Sequence, residues 1–484
     1  MRQIQPTGIL RTAVASAVLM GLAACGGGGA DDSALTTDNA QAGDSALASG
    51  SATPAQQSKA RPTPPPPTDP NPVVVPVDAA LALVSTSATG RASDGTNCGI
   101  SADGSQVAFT SSSSALVAGD TNNISDVFVK NVRTGAIARV STNNSGGQLQ
   151  IASTCLGMTP DATHIVFMTP EVIGSNPFSP PVVTEAAIFV KNLRTGAVTN
   201  VAPPRNTFAN IAGYRFQSIS DNGNRVALIA LPTTTYLGGY ETVANGPARA
   251  LIRDTGSGAL VDLSPEVSLD VAQGAVNSNM LLSPDGSKLA FNSRANAPAV
   301  GDTNGGSDVF VLNIASRSVS LASPAGASPS FQNYTVSGFL AGGSKLAFIS
   351  TAPTSAGGVG AYINDLDSGA INLVFAADVG QALPQPLSFS GDGSLLTYTR
   401  PYFVSGRQEV VVRQVSTGQE QLANITSSGL VANGESRFPL LSRDGSTVVY
   451  DSNATNLVRP ILSEAYRYRP YAKTLSRPAG QTPG

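Results

Sequence analysis

Between residues 81 and 478 the apolar positions come in runs too short for helices. Val107-Ala108-Phe109, Leu289-Ala290-Phe291, "DVFVKNV" at 126–132, "AIFVKNL" at 187–193 and "DVFVLNI" at 308–314 are each bounded by Gly, Asp, Asn or Ser. Short β-branched and aromatic runs between turn residues read as buried strands. The runs also follow a repeated phrase. "SADGSQVAFT" (101–110) returns as "SPDGSKLAFN" (283–292), and in weaker form as "TPDATHIVFM" (159–168), "SDNGNRVALI" (220–229), "LAGGSKLAFI" (340–349), "SGDGSLLTYT" (390–399) and "SRDGSTVVYD" (442–451). The third position falls at 103, 161, 222, 285, 342, 392 and 444, a spacing of 50 to 63 residues.

Each phrase carries a hairpin signal. In six of the seven, Asp-Gly, Asn-Gly or Gly-Gly supplies the positive φ of a tight turn. A second run follows, then a Gly turn such as "RTGA" (133–136 and 194–197), "DSGA" (367–370) or "STGQ" (416–419), then a third run such as "IARVS" (137–141). The residues before the phrase, such as "CGIS" (98–101), give a fourth strand. Four strands per unit, seven units and no helical period between them predict an all-β, seven-bladed β-propeller of four-stranded antiparallel blades. "LALVS" (81–85) and "KTLSR" (473–477) both suit a closing strand. One of them is expected outermost in the seventh blade.

The stretch "ISADGSQVAFTSSSSALVAGDTNNISDVFVKNVRTGAIARVS" (100–141) resembles a repeat of the TolB-like, WD-type β-propeller family. The resemblance runs from about 81 to 478 and is strongest at 100–141 and 281–321. It implies a propeller. It leaves function open, since the family includes partner-binding periplasmic proteins and the propeller halves of peptidases. Asp161-Ala162, Asn222-Gly223 and Gly342-Gly343 depart from Asp-Gly, so the turns of their blades are expected to differ.

The N-terminus reads as an address. Arg2 and Arg11 precede a short apolar stretch, Thr12–Leu22, and Leu22-Ala23-Ala24-Cys25 resembles the lipobox of bacterial lipoproteins. That implies a lipid on Cys25, stable anchoring by more than one acyl chain, and, with Gly26 following, an outer-membrane destination in a two-membrane envelope. The alternative is an ordinary cleaved signal with an incidental Cys. Residues 26–76 are Gly/Ala/Ser-rich and then Pro-rich, a tether that holds the folded body roughly 40 Å or more from the membrane. The expected plan is signal peptide 1–24, lipidated Cys and tether 25–76, propeller 77–478 and tail 479–484.

Composition removes several functions. Charged residues are 13% and the net charge is −3, without the concentrated basic surface that nucleic acid needs. No G-x-S-x-G elbow is present, and no hydrolase-sized α/β segment follows the seventh unit. The single His, His164, occupies a phrase position filled elsewhere by Gln106, Arg225, Lys288, Lys345, Leu395 and Thr447, so it reads as a solvated strand start. Multi-histidine metal chemistry is excluded by count. Carboxylate-pair chemistry stays open.

Three features carry candidate sites. The loops "GDTNNISD" (119–126) and "GDTNGGSD" (301–308) place Asp120, Asn122 and Asp126, and Asp302, Asn304 and Asp308, at spacings that suit a calcium loop. The preferred reading is an Asx turn, and no cofactor is expected beyond that calcium alternative. Cys98 and Cys155 sit near the starts of the innermost strands of consecutive units. Neighbouring propeller blades bring those strands together, so a disulfide is expected in an exported protein, the alternative being two buried thiols. "EAYRYRPYAK" (464–473) alternates Tyr and Arg and reads as a charged edge strand, the alternative being a patch for an acidic partner or glycan. The functional reading is a lipid-anchored module of the cell envelope that binds a protein or glycan partner. Its rival is a lyase or hydrolase of envelope or extracellular polysaccharide, working through carboxylates in the channel.

Overall fold

Where the phrase is intact it folds by one mechanism. Ser101 Oγ donates to Asp103 Oδ1 at 2.6 Å and accepts the Gln106 N–H at 2.9 Å, while Asp103 Oδ1 accepts the Ser105 N–H at 3.0 Å. Gly104 then turns at φ 71°. Ser283 and Asp285 repeat the pattern, as do Ser390 with Asp392 and Ser442 with Asp444. Burial pushes the Asp285 carboxyl up, but the hydroxyl and amide hydrogen bonds outweigh it and hold the group at about 2. Two of the three departures keep this geometry: Thr159 and Asp161 pair in the same way with Ala162 at φ 54°, and Ser220 pairs with Asn222. The third does not. Leu340 and Gly342 remove both side-chain partners, and Ala341, Gly342 and Gly343 all take positive φ in a short 3-10 turn, Ala341–Gly343.

The structure, a computed structural model, describes residues 81–475 except 174–181, 237–241, 270, 273–274, 277, 295–301, 303–305, 325–333, 351–359, 377–386, 402–406 and 459–466. Each phrase turn joins the innermost strand of a four-stranded antiparallel sheet to the second. The seven sheets begin at Thr96–Ile100 (blade 1), Thr154–Met158 (2), Ile211–Ile219 (3), Met280–Leu282 (4), Tyr334–Leu340 (5), Ser388–Phe389 (6) and Ser436–Leu441 (7). Each innermost strand lies against that of the next blade, and blade 7 lies against blade 1, so the ring closes. This is the seven-bladed propeller that the repeat predicted. Opposed aromatics fill the blade interiors, with Phe109 on Phe128, Phe167 on Phe189, Phe291 on Phe310 and Tyr450 on Tyr471, centroids 5.4 to 5.9 Å apart.

Among the described residues, five of the seven neighbouring turn pairs are joined by a backbone hydrogen bond; the blade 2–3 and 4–5 pairs, where Pro160 and Pro284 have no N–H to give, are not. Ala102 N–H donates to Pro160 C=O, Asp221 to Pro284, Ala341 to Gly391, Gly391 to the Arg443 carbonyl, and Asp444 to Ala102, at 2.6 to 2.9 Å. Arg443, in the turn of blade 7, also pairs with Asp221, in the turn of blade 3, at 2.7 Å. Those blades stand on opposite sides of a seven-fold ring, so this ion pair crosses the channel at its turn end.

Closure corrects one expectation. Leu81–Leu83 is the outermost strand of blade 7, with Leu81 opposite Lys473. Arg469–Thr474 is therefore the third strand, paired on both sides and buried through Lys473, and not an edge. The alternating pattern had no way to show that a strand from the other end of the chain covers it. A repeated lysine contact also links blades. Lys130 reaches the Thr86 carbonyl at 2.8 Å, Lys191 reaches Thr142 Oγ1, and Lys473 reaches the Ile425 carbonyl at 3.3 Å, each from a third strand to the hairpin that leads into its own blade.

The inter-blade contact at the turns is testable by two glycines of the same conformation. Gly104 (φ +71°) has Thr447 Oγ1 2.3 Å from where a Cβ would stand, whereas Gly135 (φ +79°) has nothing within 4 Å. Gly135→Ala should cost about 1 kcal/mol, the left-handed penalty alone. Gly104→Ala should cost roughly 2–4 kcal/mol, because overpacking of the blade 1–blade 7 contact adds to it. Denaturant midpoints of the two variants check this, and equal losses would remove the contact from the account.

Candidate functional site

The two faces of the ring differ. One carries the hydrogen-bonded phrase turns. The other carries the loops between second and third strands and the hairpins between blades. The hairpins at 84–92, 140–148 and 423–431 share one form, with bridges Thr86–Ala92, Thr142–Gln148 and Ile425–Val431 and a positive-φ glycine at 90, 146 and 429.

The residues singled out in the sequence separate into distinct places. Cys25 lies outside the described residues. Cys98 and Cys155 are recorded as a disulfide with Cα atoms 6.0 Å apart, joining the innermost strands of blades 1 and 2. In the first loop, Gln148 Nε2 donates to Asp120 Oδ1 at 2.9 Å and Asp126 Oδ2 at 3.3 Å, and Ser141 Oγ donates to Asp126 Oδ1 at 2.5 Å. Burial, with Asp126 beside it, pushes the Asp120 carboxyl up. The Asn122 side chain turns away. Its Oδ1 accepts the Ile124 N–H at 3.2 Å, an Asx turn, and its Nδ2 donates to Leu149 C=O. Asp302 and Asp308 are buried likewise, with Ser323 Oγ on Asp308 Oδ1 at 2.6 Å, and Asn304 lies outside the described residues. Among the described residues no three His, Cys, Asp or Glu side chains gather as a metal site.

His164 opens its strand as expected, but it is not solvated. It is half-buried against the blade 3 turn, where a Cβ on Gly223 would stand 2.2 Å from its Nδ1. Its ring nitrogens meet Thr163 Oγ1 and Asn192 Nδ2 at 2.9 and 3.0 Å, and burial lowers its pKa. Packing and side-chain amide contacts account for it. A second charged group, within blade 6, is internally paired: Glu420 accepts from Arg400 at 2.7 Å, from Arg413 at 2.8 Å and from the Tyr398 hydroxyl, and Arg400 also holds Glu409 at 2.9 Å.

A cluster that the sequence did not reveal lies on the loop side of the seam between blades 7 and 1. Asp451, at the end of the second strand of blade 7, is fully buried. Its Oδ1 accepts two hydrogen bonds from Asn97 of blade 1, the backbone N–H at 2.9 Å and Nδ2 at 2.8 Å. Directly opposite Asp451 on the innermost strand stands Arg437. A bulge follows it, with Phe438 at φ 53°. The Arg437 guanidinium lies 3.4 Å from the Tyr468 ring centroid and 5.0 Å from that of Phe438. The Tyr468 hydroxyl donates to Glu435, and Arg467 pairs with Asp94 at 2.6 Å beside it. Burial raises the Asp451 carboxyl to about 7, against the opposing effects of Asn97 and Arg437. Of the 464–473 stretch, Tyr468 thus joins a cluster that the alternation alone did not indicate.

Comparisons place the fold among solved propellers. No family model and no curated protein matches the sequence. The oligogalacturonate lyase from Vibrio parahaemolyticus is similar over 83% of this chain and 92% of its own, with 12% identity and a TM-score of 0.50. An oligogalacturonate lyase in complex with manganese gives 13% identity, the same coverages and 0.49. TolB from Acinetobacter baumannii gives 17% identity over 61% of this chain and 58% of its own, at 0.36. Identities this low speak for fold alone, and the fold is the β-propeller.

The Asp451 carboxyl makes a pH prediction. Its native pKa of about 7 lies above the unfolded value near 4, so the native state binds the extra proton between those limits. Stability from this group is full below pH 4 and is lost as pH rises through 7, on the order of 4 kcal/mol. Asp451→Asn should flatten the stability profile across pH 4–7 in chemical denaturation. An unchanged slope would mean that the carboxyl titrates normally.

Proposed function

We propose that the protein is a lipid-anchored binding module of the cell envelope, with the propeller at 77–478 carried on the 25–76 tether and the loop face turned to a protein partner. The observation that carries this reading is the asymmetry of the two faces. The turn face is laced by backbone hydrogen bonds and crossed by Arg443–Asp221. The loop face exposes apolar side chains on its blade-linking hairpins: Leu430 is 64% and Val431 40% exposed. Adjacent exposed apolar residues on such a rim favour a protein contact. The lipobox-like sequence at Cys25 supports the anchor and an outer-membrane location.

The enzymatic alternative needs two carboxylates facing one bond. Among the described residues burial raises the carboxyls of Asp120, Asp221 and Asp451: Asp221 lies in the blade 3 turn and pairs with Arg443, Asp451 lies buried at the loop end of blade 7, and Asp120 is bridged to Asp126 by Gln148. This arrangement favours binding over polysaccharide cleavage.

Three experiments test the reading. Cys25→Ser should release the protein from membranes or leave it uncleaved, and the exported protein should take up no alkylating reagent at Cys98 or Cys155 without reduction. Parental fractionation of Cys25→Ser removes the anchor, and alkylation at both thiols removes the cross-link. Leu430→Asp with Val431→Asp should abolish partner capture from membranes by the full-length chain, with its melting temperature retained. Capture that survives both changes places the partner elsewhere.

A further inference from the structure

The cluster at the blade 7–blade 1 seam is arranged to receive a polar group that the chain does not supply. Arg437 carries five N–H donors in a flat fork. Among the described residues none of them has an acceptor, and Nε is buried without one. Asp451 Oδ2 and Asn97 Oδ1 are buried without a partner as well. Buried polar atoms in native proteins are nearly always bonded to protein or to ordered water, so three such atoms on neighbouring side chains call for a hydrogen-bonding molecule from outside the chain, water or ligand. The surrounding groups are fixed. Asn97 ties Asp451 across the seam, Tyr468 and Phe438 hold the guanidinium plane, and Glu435 holds the Tyr468 hydroxyl.

We propose that this cluster binds the carboxylate of a small soluble acid, with Arg437 as its bidentate partner and Asp451 and Asn97 closing the site behind it. The guanidinium fork matches the two oxygens of a carboxylate, and aromatic stacking sets the plane of the fork in advance. Asp451 Oδ1 is occupied by both Asn97 N–H groups, so a proton on this carboxyl sits on Oδ2, where it donates toward the ligand. The charged and titratable groups facing Asp451 are Arg437 and Tyr468, with Glu435 behind the tyrosine. One cation with an acid beside it suits a monoanion and disfavours a phosphate dianion. A sugar acid and an aliphatic acid share this chemistry. The inference does not depend on the docking of a protein at the hairpins.

The test uses the full-length chain with glucuronate, propionate, glucose and inorganic phosphate. Both acids should bind and displace each other, and each should move the Arg437 Nε–H resonance in the unmodified protein. Arg437→Lys should weaken binding at least about tenfold, because a point charge replaces a bidentate fork. Binding of glucuronate alone identifies a sugar acid as the source, and binding of propionate alone an aliphatic acid. An unmoved Arg437 resonance at tens of millimolar acid, equal binding of glucose, preference for phosphate, or binding indifferent to Arg437→Lys overturns the proposal.

Discussion

Seven separate sheets have to be held in a circle, although the hydrogen bonds of each sheet end at its own edges. What holds them at the turn end, at five of the seven junctions, is a backbone contact from the second or third residue of one phrase turn to the second residue of another, as in Ala102 to Pro160 and Asp444 to Ala102. That contact needs every turn at the same height and angle. The Ser–Asp hydrogen bond and the positive-φ residue set that height. The other linking devices lie elsewhere: the Cys98–Cys155 link between innermost strands, the buried third-strand lysines reaching the hairpins, and Leu81–Leu83 closing blade 7 from the opposite end of the chain. A buried lysine costs desolvation, which lowers the pKa of Lys130, Lys191 and Lys473 alike. Its repeated use shows that linking consecutive blades outweighs that cost at each position.

This explains which parts of the fold were legible in the sequence. The phrase turn is local: Ser101, Asp103 and Gly104 act on one another within a few residues, so the same letters return wherever the same turn is needed. Aromatic pairs across the second and third strands are legible for a similar reason. The hairpins at 84–92 and 140–148 left a signal that passed unread, "VSTSATGRA" beside "VSTNNSGGQ". The lysine in "VFVKN" is uninformative alone, because its partner lies in the preceding hairpin, 44 residues away for Lys130. The turn at 341–343 shows the converse. With Leu340 and Gly342 in place of Ser and Asp, the backbone takes another route and still delivers Ala341 N–H to Gly391.

The seam cluster was illegible for a stronger reason. Asn97 and Asp451 are 354 residues apart and meet only because the ring closes. Arg437 and Asp451 become neighbours through strand register, and Phe438 takes positive φ at a bulge that no turn residue announces. Non-glycine residues hold that conformation only where the surroundings impose it. Here the surroundings are a buried carboxyl, a stacked guanidinium and a tyrosine just before the third strand.

The position of the cluster follows from how the ring is closed. Inside a blade, polar atoms at the inner strand can be matched by the repeat, as Ser436 and Ser452 show by bonding each other at 3.1 Å. At the seam the blade is assembled from both ends of the propeller, and Asp451 accepts the Asn97 N–H of blade 1 as Thr110, at the same phrase position, accepts the Cys155 N–H of blade 2, but with a carboxyl in place of a hydroxyl. The channel's turn end is crossed by Arg443–Asp221, a pair that satisfies its own charges and leaves little for a ligand. At the loop end Arg437 is held by rings and, among the described residues, by no hydrogen-bond acceptor, so its charge is fixed in a rigid frame beside Asp451. A cation fixed in this way loses little conformational entropy on meeting an anion, which is the condition under which a single arginine can recognise a small ligand.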